Sequence, residues 1–314
     1  MDYPLQTRAV YLTPDRLESS ERVERTLKEL IARSYNTVVV PVLYEGDLMF
    51  RTNTDGTLKE MDCPGSSVLE ILRQYELTVW LSVDLITAGT PESEELGSLA
   101  SHNRSWLMRN IHGDYRPPDR PKIPALFSWT SLDFRRFLGN LLVEIVERYP
   151  VDGVIYDLGN IPRTGPDPAS WMHLGYSDLN RIQRELGFDL EDFLYQPTAE
   201  KYATIQEWRE DQLILLLENL KTRVQKIRRQ MNFILMGQIG SPEDPFAPWA
   251  ESVDDGLVEE LIIHAPAEEV PRHVEVLDRL MDDPHPFLAA IDTETAIADV
   301  ARSLQQVPAT GFCV

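Results

Sequence analysis

Short runs of β-branched and aromatic residues alternate with amphipathic stretches along the whole chain, the pattern of parallel strands joined by crossover helices. Eight runs are predicted as strands: Arg8–Thr13, Thr37–Tyr44, Leu77–Ile86, Val151–Asp157, Phe233–Ile239, Glu260–His264, Pro286–Asp292 and Thr310–Val314. Between them, Val23, Leu27, Leu30 and Ile31 fall on one helical face, as do Phe134, Phe137, Leu138, Leu141, Leu142 and Ile145. Thr130 with Asp133 three positions on is the pattern of a capping box for that second helix. Val270, Val274, Leu277 and Met281, then Ile297, Val300, Ala301 and Leu304, predict two later helices. Eight strands in this rhythm predict an α/β fold, a closed (β/α)8 TIM barrel occupying residues 1–314 as one domain. The pattern shows no eighth helix after the last strand, which leaves one flank for a neighbouring subunit, an N-terminal segment or a missing domain to cover.

Two connections exceed the usual few residues, Thr87 to Trp129 after strand three and Gly159 to about Tyr202 after strand four. Both follow C-terminal strand ends, the face on which barrel enzymes build their sites, so they are expected to handle substrate. The proline-rich stretch RPPDRPKIPAL reads either as a rigid extended loop or as disordered chain.

Composition narrows the partner. The 314 residues carry a formal net charge of -21, which disfavours a nucleic-acid phosphate backbone and fits a neutral substrate. No apolar run long enough to span a membrane occurs, and MDYPLQTRAV carries no secretory signal, so a cytoplasmic location is expected unless the chain is trimmed. Cys63 and Cys313 lie far apart without C-x-x-C spacing, and no His-x-His pair exists. Neither a disulfide framework, nor a metal site, nor a cofactor is therefore expected.

Three segments in order carry a more specific signal: RAVYLT, the stretch from Asn36 to Phe50, and VDGVIYDLGNIP from Val151 to Pro162. They resemble the glycosyl-hydrolase-like family ten proteins, with Gly46, Asp47, Asp152, Gly153, Asp157 and Pro162 at matching places. Gly175–Asp189 and Glu207–Gln212 are similar to an insertion found in some members. The resemblance implies a TIM barrel acting on carbohydrate. The sequence departs from the pattern at Ile155, Leu158 and the Asp84, Leu85, Ile86 end of strand three, where the family has polar or aromatic groups.

Glycosidic hydrolysis needs one carboxylic acid to protonate the leaving oxygen and a carboxylate to attack or to activate water. Asp157, delivered to the rim after Val154, Ile155 and Tyr156, is the first candidate; the competing reading is a loop cap or a partner of Arg163. A looser likeness to the alpha-amylase clan implies the nucleophile's role for it. Asp292 is the preferred second acid, with Glu294, which can instead open a helix, and Glu243 in the loop SPED behind it. Asp84 is read as a ligand of a sugar hydroxyl or as a solvated loop acid. Glu45, Asn160, Gln238 and His264 lie at strand ends where they can also bind substrate. Tyr44, Trp80, Trp129 and Trp249 can stack on sugar rings there, or pack in the core. The leading expectation is a hydrolase of a poly- or oligosaccharide. The alternatives are a carbohydrate-binding barrel without turnover and an assembly protein that uses the uncovered flank, for instance to form a homo-oligomer.

Overall fold

A computed structural model describes residues 6–50, 52–54, 65–90, 95–109, 113–116, 124–159, 178–187, 198–238, 240–241, 244–245, 248–264, 269, 272–273, 275–276, 279, 287–290 and 309–313. Eight parallel strands, numbered in chain order, form the centre: β1 Thr7–Tyr11, β2 Thr37–Tyr44, β3 Thr78–Asp84, β4 Gly153–Asp157, β5 Asn232–Gly237, β6 Glu260–His264, β7 Phe287–Ala290 and β8 Ala309–Cys313. Each pairs with the next, and β8 returns to β1 with Ala9 opposite Cys313, so the sheet closes into a barrel. Closure leaves no edge strand to protect. Every one of these strands coincides with a predicted run to within a few residues.

Closure also explains why the runs are apolar throughout: one face of each strand points into the barrel and the other toward the helices. Ala9, Val39, Trp80, Ile155, Ile234, Ile262 and Leu288 form a dry interior cluster, one residue from each of seven strands, joined by Cys313 from the eighth. The alternate positions, such as Val38, Val40, Leu81, Val154, Phe233 and Leu261, belong to a larger cluster beneath the helices. Inside the barrel, Trp80 spreads over Gly153, where a Cβ would come to 2.8 Å from the indole Cδ1. Gly153 is thus small because its neighbour is large.

The described helices are α1 Ser20–Ala32, α2 Gly65–Leu72, α3 Ser98–His102, α4 Leu132–Arg148, α5 Asp178–Leu186, α6 Ala199–Ile227 and α7 Pro248–Asp254. α1 buries Val23, Leu27 and Leu30, but Ile31 at the edge of that stripe is 44% exposed. All six apolar residues predicted for α4 are buried. Its cap is one residue later than the sequence pattern implied: Ser131 accepts from the Phe134 N–H, while the Thr130 hydroxyl is engaged with Ser128. Within the helix predicted from Val270 to Met281, the described residues Arg272, His273, Glu275, Val276 and Arg279 are helical, with Val276 buried, while its four stripe residues, the helix from Ile297 to Leu304, and residues 117–123 of the proline-rich stretch lie outside the described residues.

Candidate active site

The alternation that fills the lower barrel with hydrocarbon brings different chemistry to the upper inward positions of β1, β3 and β4. From Trp80 the inward positions of β3 continue to Ser82 and Asp84, and from Ile155 the next inward position of β4 is Asp157. The register sets Asp84 directly beside Asp157. Neighbouring strands are about 4.8 Å apart, so two carboxyl groups on the same face of adjacent strands are obligate neighbours. Both lie at the C-terminal ends of their strands, where barrel enzymes carry their catalytic groups.

The two acids are held differently. Asp84 is 8% exposed, and its Oδ1 accepts from the backbone N–H groups of Ile86 at 2.9 Å and Thr87 at 2.7 Å. The Thr87 hydroxyl and the Glu45 N–H support the same carboxyl. Asp157, half-buried, accepts from one backbone donor, the Gly159 N–H, at 2.8 Å. Burial lifts the Asp84 carboxyl to about 6, its donors holding it down, whereas burial and the adjacent Asp84 charge lift Asp157 to about 8. Two like charges at this spacing resist joint ionisation, so the pair titrates as a unit. Its extra N–H donors make Asp84 the better supported site for the pair's charge and leave Asp157 the better site for its proton.

Tyr11, at the end of β1 and two positions from Ala9, brings a phenol to the same layer. Its ring centroid is 6.4 Å from that of Tyr44. Burial first, and then the Asp157 charge, raise its hydroxyl well above the ordinary tyrosine range, so it is a neutral donor. The Ser82 hydroxyl is fully buried beside it, short of full hydrogen-bond geometry. Tyr44 at the end of β2 is half-buried and likewise raised, by burial and then by Glu45 and Asp84.

Glycines let the loops close on this site. Glu45 and Gly46 turn with φ of 48° and 83°, and a Cβ on Gly46 would approach the Ala88 carbonyl to 2.6 Å. The turn is fastened by the Asp47 carboxylate, which accepts from the Ser98 N–H at the start of α3. The Gly46–Asp47 pair singled out in the sequence therefore welds the β2 loop to the long insertion after β3. At the ends of β4 and β5, Gly237 has φ of 151°, and a Cβ there would meet the Gly159 carbonyl at 2.9 Å.

Several sequence-predicted positions fall elsewhere. Trp80 is not at the rim but near the start of β3, 4% exposed in the lower interior, because its strand begins at Thr78 and has two more inward positions above it. Trp129 is sealed in the outer core, its indole N–H given to the Arg209 carbonyl and its face covered by the Arg209 guanidinium at 4.5 Å. Trp249 is fully buried in α7. His264 ends β6 half-buried, opposite Ala290, and Gln238 is exposed, its backbone N–H bonded to the Gly159 carbonyl. Asp292, Glu294, Glu243, Asn160 and Arg163 lie outside the described residues. The partner that the structure supplies for Asp157 is Asp84, which sequence reading placed at the rim without pairing them. Tyr11 was missed altogether, although its i, i+2 relation to Ala9 was a usable signal.

Among the described residues, no group of three or more His, Cys, Asp or Glu is placed to hold a metal ion, and no helix is long and apolar enough to cross a membrane. No protein-family model matches this sequence, and no curated protein matches it significantly. Solved structures do. The catalytic domain of beta-amylase from Paenibacillus polymyxa is similar at a TM-score of 0.67 with 8% identity, over 98% of this chain and 92% of that one. Alpha-L-fucosidase isoenzyme 2 from Paenibacillus thiaminolyticus is similar at 0.65 with 14% identity, over 100% of this chain. The GH20 exo-beta-N-acetylglucosaminidase from Vibrio harveyi is similar at 0.56 with 12% identity, over 92%. The chain spans 46% of the fucosidase and 42% of the glucosaminidase. At these identities the likeness is one of fold, the parallel barrel that these glycoside hydrolases share.

Proposed function

We propose that this chain is a glycoside hydrolase of a poly- or oligosaccharide, akin to the glycosyl-hydrolase-like family ten proteins that its sequence resembles. The observation that carries the reading is the Asp84–Asp157 pair at the C-terminal rim of the barrel. The reaction asks for one protonated and one ionised carboxyl at the same pH, and burial with unequal hydrogen bonding provides that division. Asp157 takes the role of acid, passing its proton to the glycosidic oxygen as the bond to the anomeric carbon breaks. Asp84, charged and oriented by its N–H donors, attacks that carbon; water then releases the glycosyl ester, with Asp157 now accepting its proton. This exchanges the roles that the alpha-amylase likeness implied, because Asp157 has less support for a negative charge. Adjacent strands hold the carboxyls nearer to the separation of about 5 Å typical of retaining enzymes than to the 6.5–9.5 Å that accommodates a water between them.

Reducing-sugar release from a broad glycan panel is the test, comparing wild type with Asp157→Asn and Asp84→Asn and checking each fold by its thermal melt. Release by wild type and loss in both variants is expected. Undiminished release by either folded variant removes that residue from the mechanism. Glycan binding without release by wild type would instead favour the non-hydrolytic binding barrel.

A further inference from the structure

The long insertion after β3 departs from the charge of the rest of the molecule. Residues 98–122 carry five basic and two acidic side chains in a chain of net charge -21. Two of the arginines converge on one ring, and a third follows that ring in the chain. The Arg109 guanidinium lies 4.7 Å and that of Arg104 6.0 Å from the centre of the Tyr115 ring, and Arg109 also donates to the Tyr115 hydroxyl at 2.8 Å. Arg116, next in sequence, donates to the Thr90 carbonyl at 3.3 Å. None of the three is in an ion pair with a carboxylate of the described residues. The Arg109 Nε is buried with no acceptor among them. Two cations sharing one ring repel each other, and in so acidic a protein carboxylates to neutralise them were abundant.

This cluster is tied to the barrel rim. The chain leaving Asp84 runs through Ile86 and Ala88, which bond to Phe127 and Ala125; the Met108 N–H in turn donates to the Leu126 carbonyl at 2.8 Å. Arg109 thus sits on a three-stranded ribbon that continues from the catalytic end of β3. Asp84 and Ala88 are at most about 14 Å apart along the chain, and crossing the ribbon adds about 10 Å. Arg109 therefore lies within about 24 Å of Asp84, in reach of a neighbouring part of a longer chain.

We infer that Arg104 and Arg109 around Tyr115, with Arg116 next to it in the chain, form a subsite for an anionic substituent of a polymeric glycan, a carboxylate or a sulfate ester. Guanidinium forks match the paired oxygens of either group, and their charge attracts such a chain to a protein that otherwise repels it. The inference rests on the hydrolase reading for the glycan and qualifies the neutral substrate that net charge alone suggested.

Isothermal titration separates the possibilities, using hexagalacturonate as the carboxylate probe, a kappa-carrageenan hexasaccharide as the sulfate probe, cellohexaose as the neutral control and an oligothymidylate as an unrelated polyanion. At least one acidic glycan is expected to bind tenfold or more tighter than cellohexaose, with an affinity that falls as salt is raised. Arg104→Ala, at an exposed position that cannot threaten the fold, is expected to weaken that binding about threefold, and Arg104→Ala/Arg109→Ala about tenfold or more. Failure of every acidic glycan to bind, equal binding of cellohexaose, acidic binding unchanged in Arg104→Ala and in the folded double variant, or equally tight oligothymidylate would each overturn the subsite. Binding is read without turnover, so a bound acidic glycan that wild type leaves intact counts against the hydrolase and not against the subsite.

Discussion

The two ends of the barrel interior are built by the same strands with the same alternation, yet they obey opposite rules. At the lower end Trp80, Ile155, Ile234, Ile262 and Leu288 pack with Ala9, Val39 and Cys313 around the gap left at Gly153, and Asn232 and the part-buried Glu260 open β5 and β6 below them. At the upper end the inward positions hold Tyr11, Asp84 and Asp157, with two carboxyls that would each be more comfortable in water. The lower end stabilises the closed sheet. The upper end draws on that stability to hold a proton donor and a charge side by side, and this division explains why the strands can afford acids at one end.

The contrast is broken most severely by touching the upper pair. Asp157→Asn or Asp84→Asn is expected to lower hydrolysis by roughly a hundredfold to ten-thousandfold, as read by kcat/KM on any glycan that wild type cleaves, while leaving the barrel folded. At the lower end the same kind of truncation should do the reverse. Trp80→Ala empties the interior and is expected to cost about 3–5 kcal/mol of stability in urea unfolding, with the substrate contacts above it untouched. A substitution in this layer that spared stability but abolished turnover would erase the distinction.

A pH series sharpens it further. Both carboxyls have folded values raised above the ordinary carboxylate range, Asp157 to about 8. The folded state therefore binds protons more tightly than the unfolded chain, and its stability declines as pH rises from the ordinary range through the folded values. Asp157→Asn removes the more strongly shifted of the two ionisations. The melting temperature of Asp157→Asn should exceed that of wild type by a margin that grows from pH 5 to pH 9, whereas Trp80→Ala should lose about the same amount throughout. A margin independent of pH would show that Asp157 is not held protonated.

Smaller effects test the supports. Gly153→Ala pushes a methyl into the Trp80 ring and is expected to destabilise by about 1–3 kcal/mol. Ser131→Ala, which removes the cap of α4 on the outside of the barrel, should cost about 1 kcal/mol and leave activity unchanged. Both are read from chemical denaturation midpoints.

How much of this was legible beforehand follows from the physics of each part. Strand positions are local facts, since an apolar run of strand length, bounded by turn residues, is written in consecutive letters. Hence the runs from Thr37 to Tyr44 and from Glu260 to His264 coincide with β2 and β6 to the residue. The α4 stripe was equally plain, because burial repeats with the helical period. The cap slipped by one residue because Thr130 and Ser131 both offer hydroxyls and only the backbone path selects between them.

The site was legible only in halves. Asp157 could be found from its place at the end of an apolar strand, but its partner could not, since Asp84 and Asp157 are separated by a long insertion and a helix and meet only through the register of β3 with β4. The tryptophans stayed open between stacking and packing for the same reason: whether an indole lies at the rim or two layers below, as Trp80 does, depends on where closure sets each strand along the barrel axis. Sequence by itself determined the order of elements, the parallel barrel and the acid at the end of β4, because these follow from short-range patterning. Tertiary structure alone decided which acid stands beside it, which of the two holds the proton and which aromatic groups share their layer, because burial and Coulomb interaction depend on distances across the barrel that no local pattern encodes.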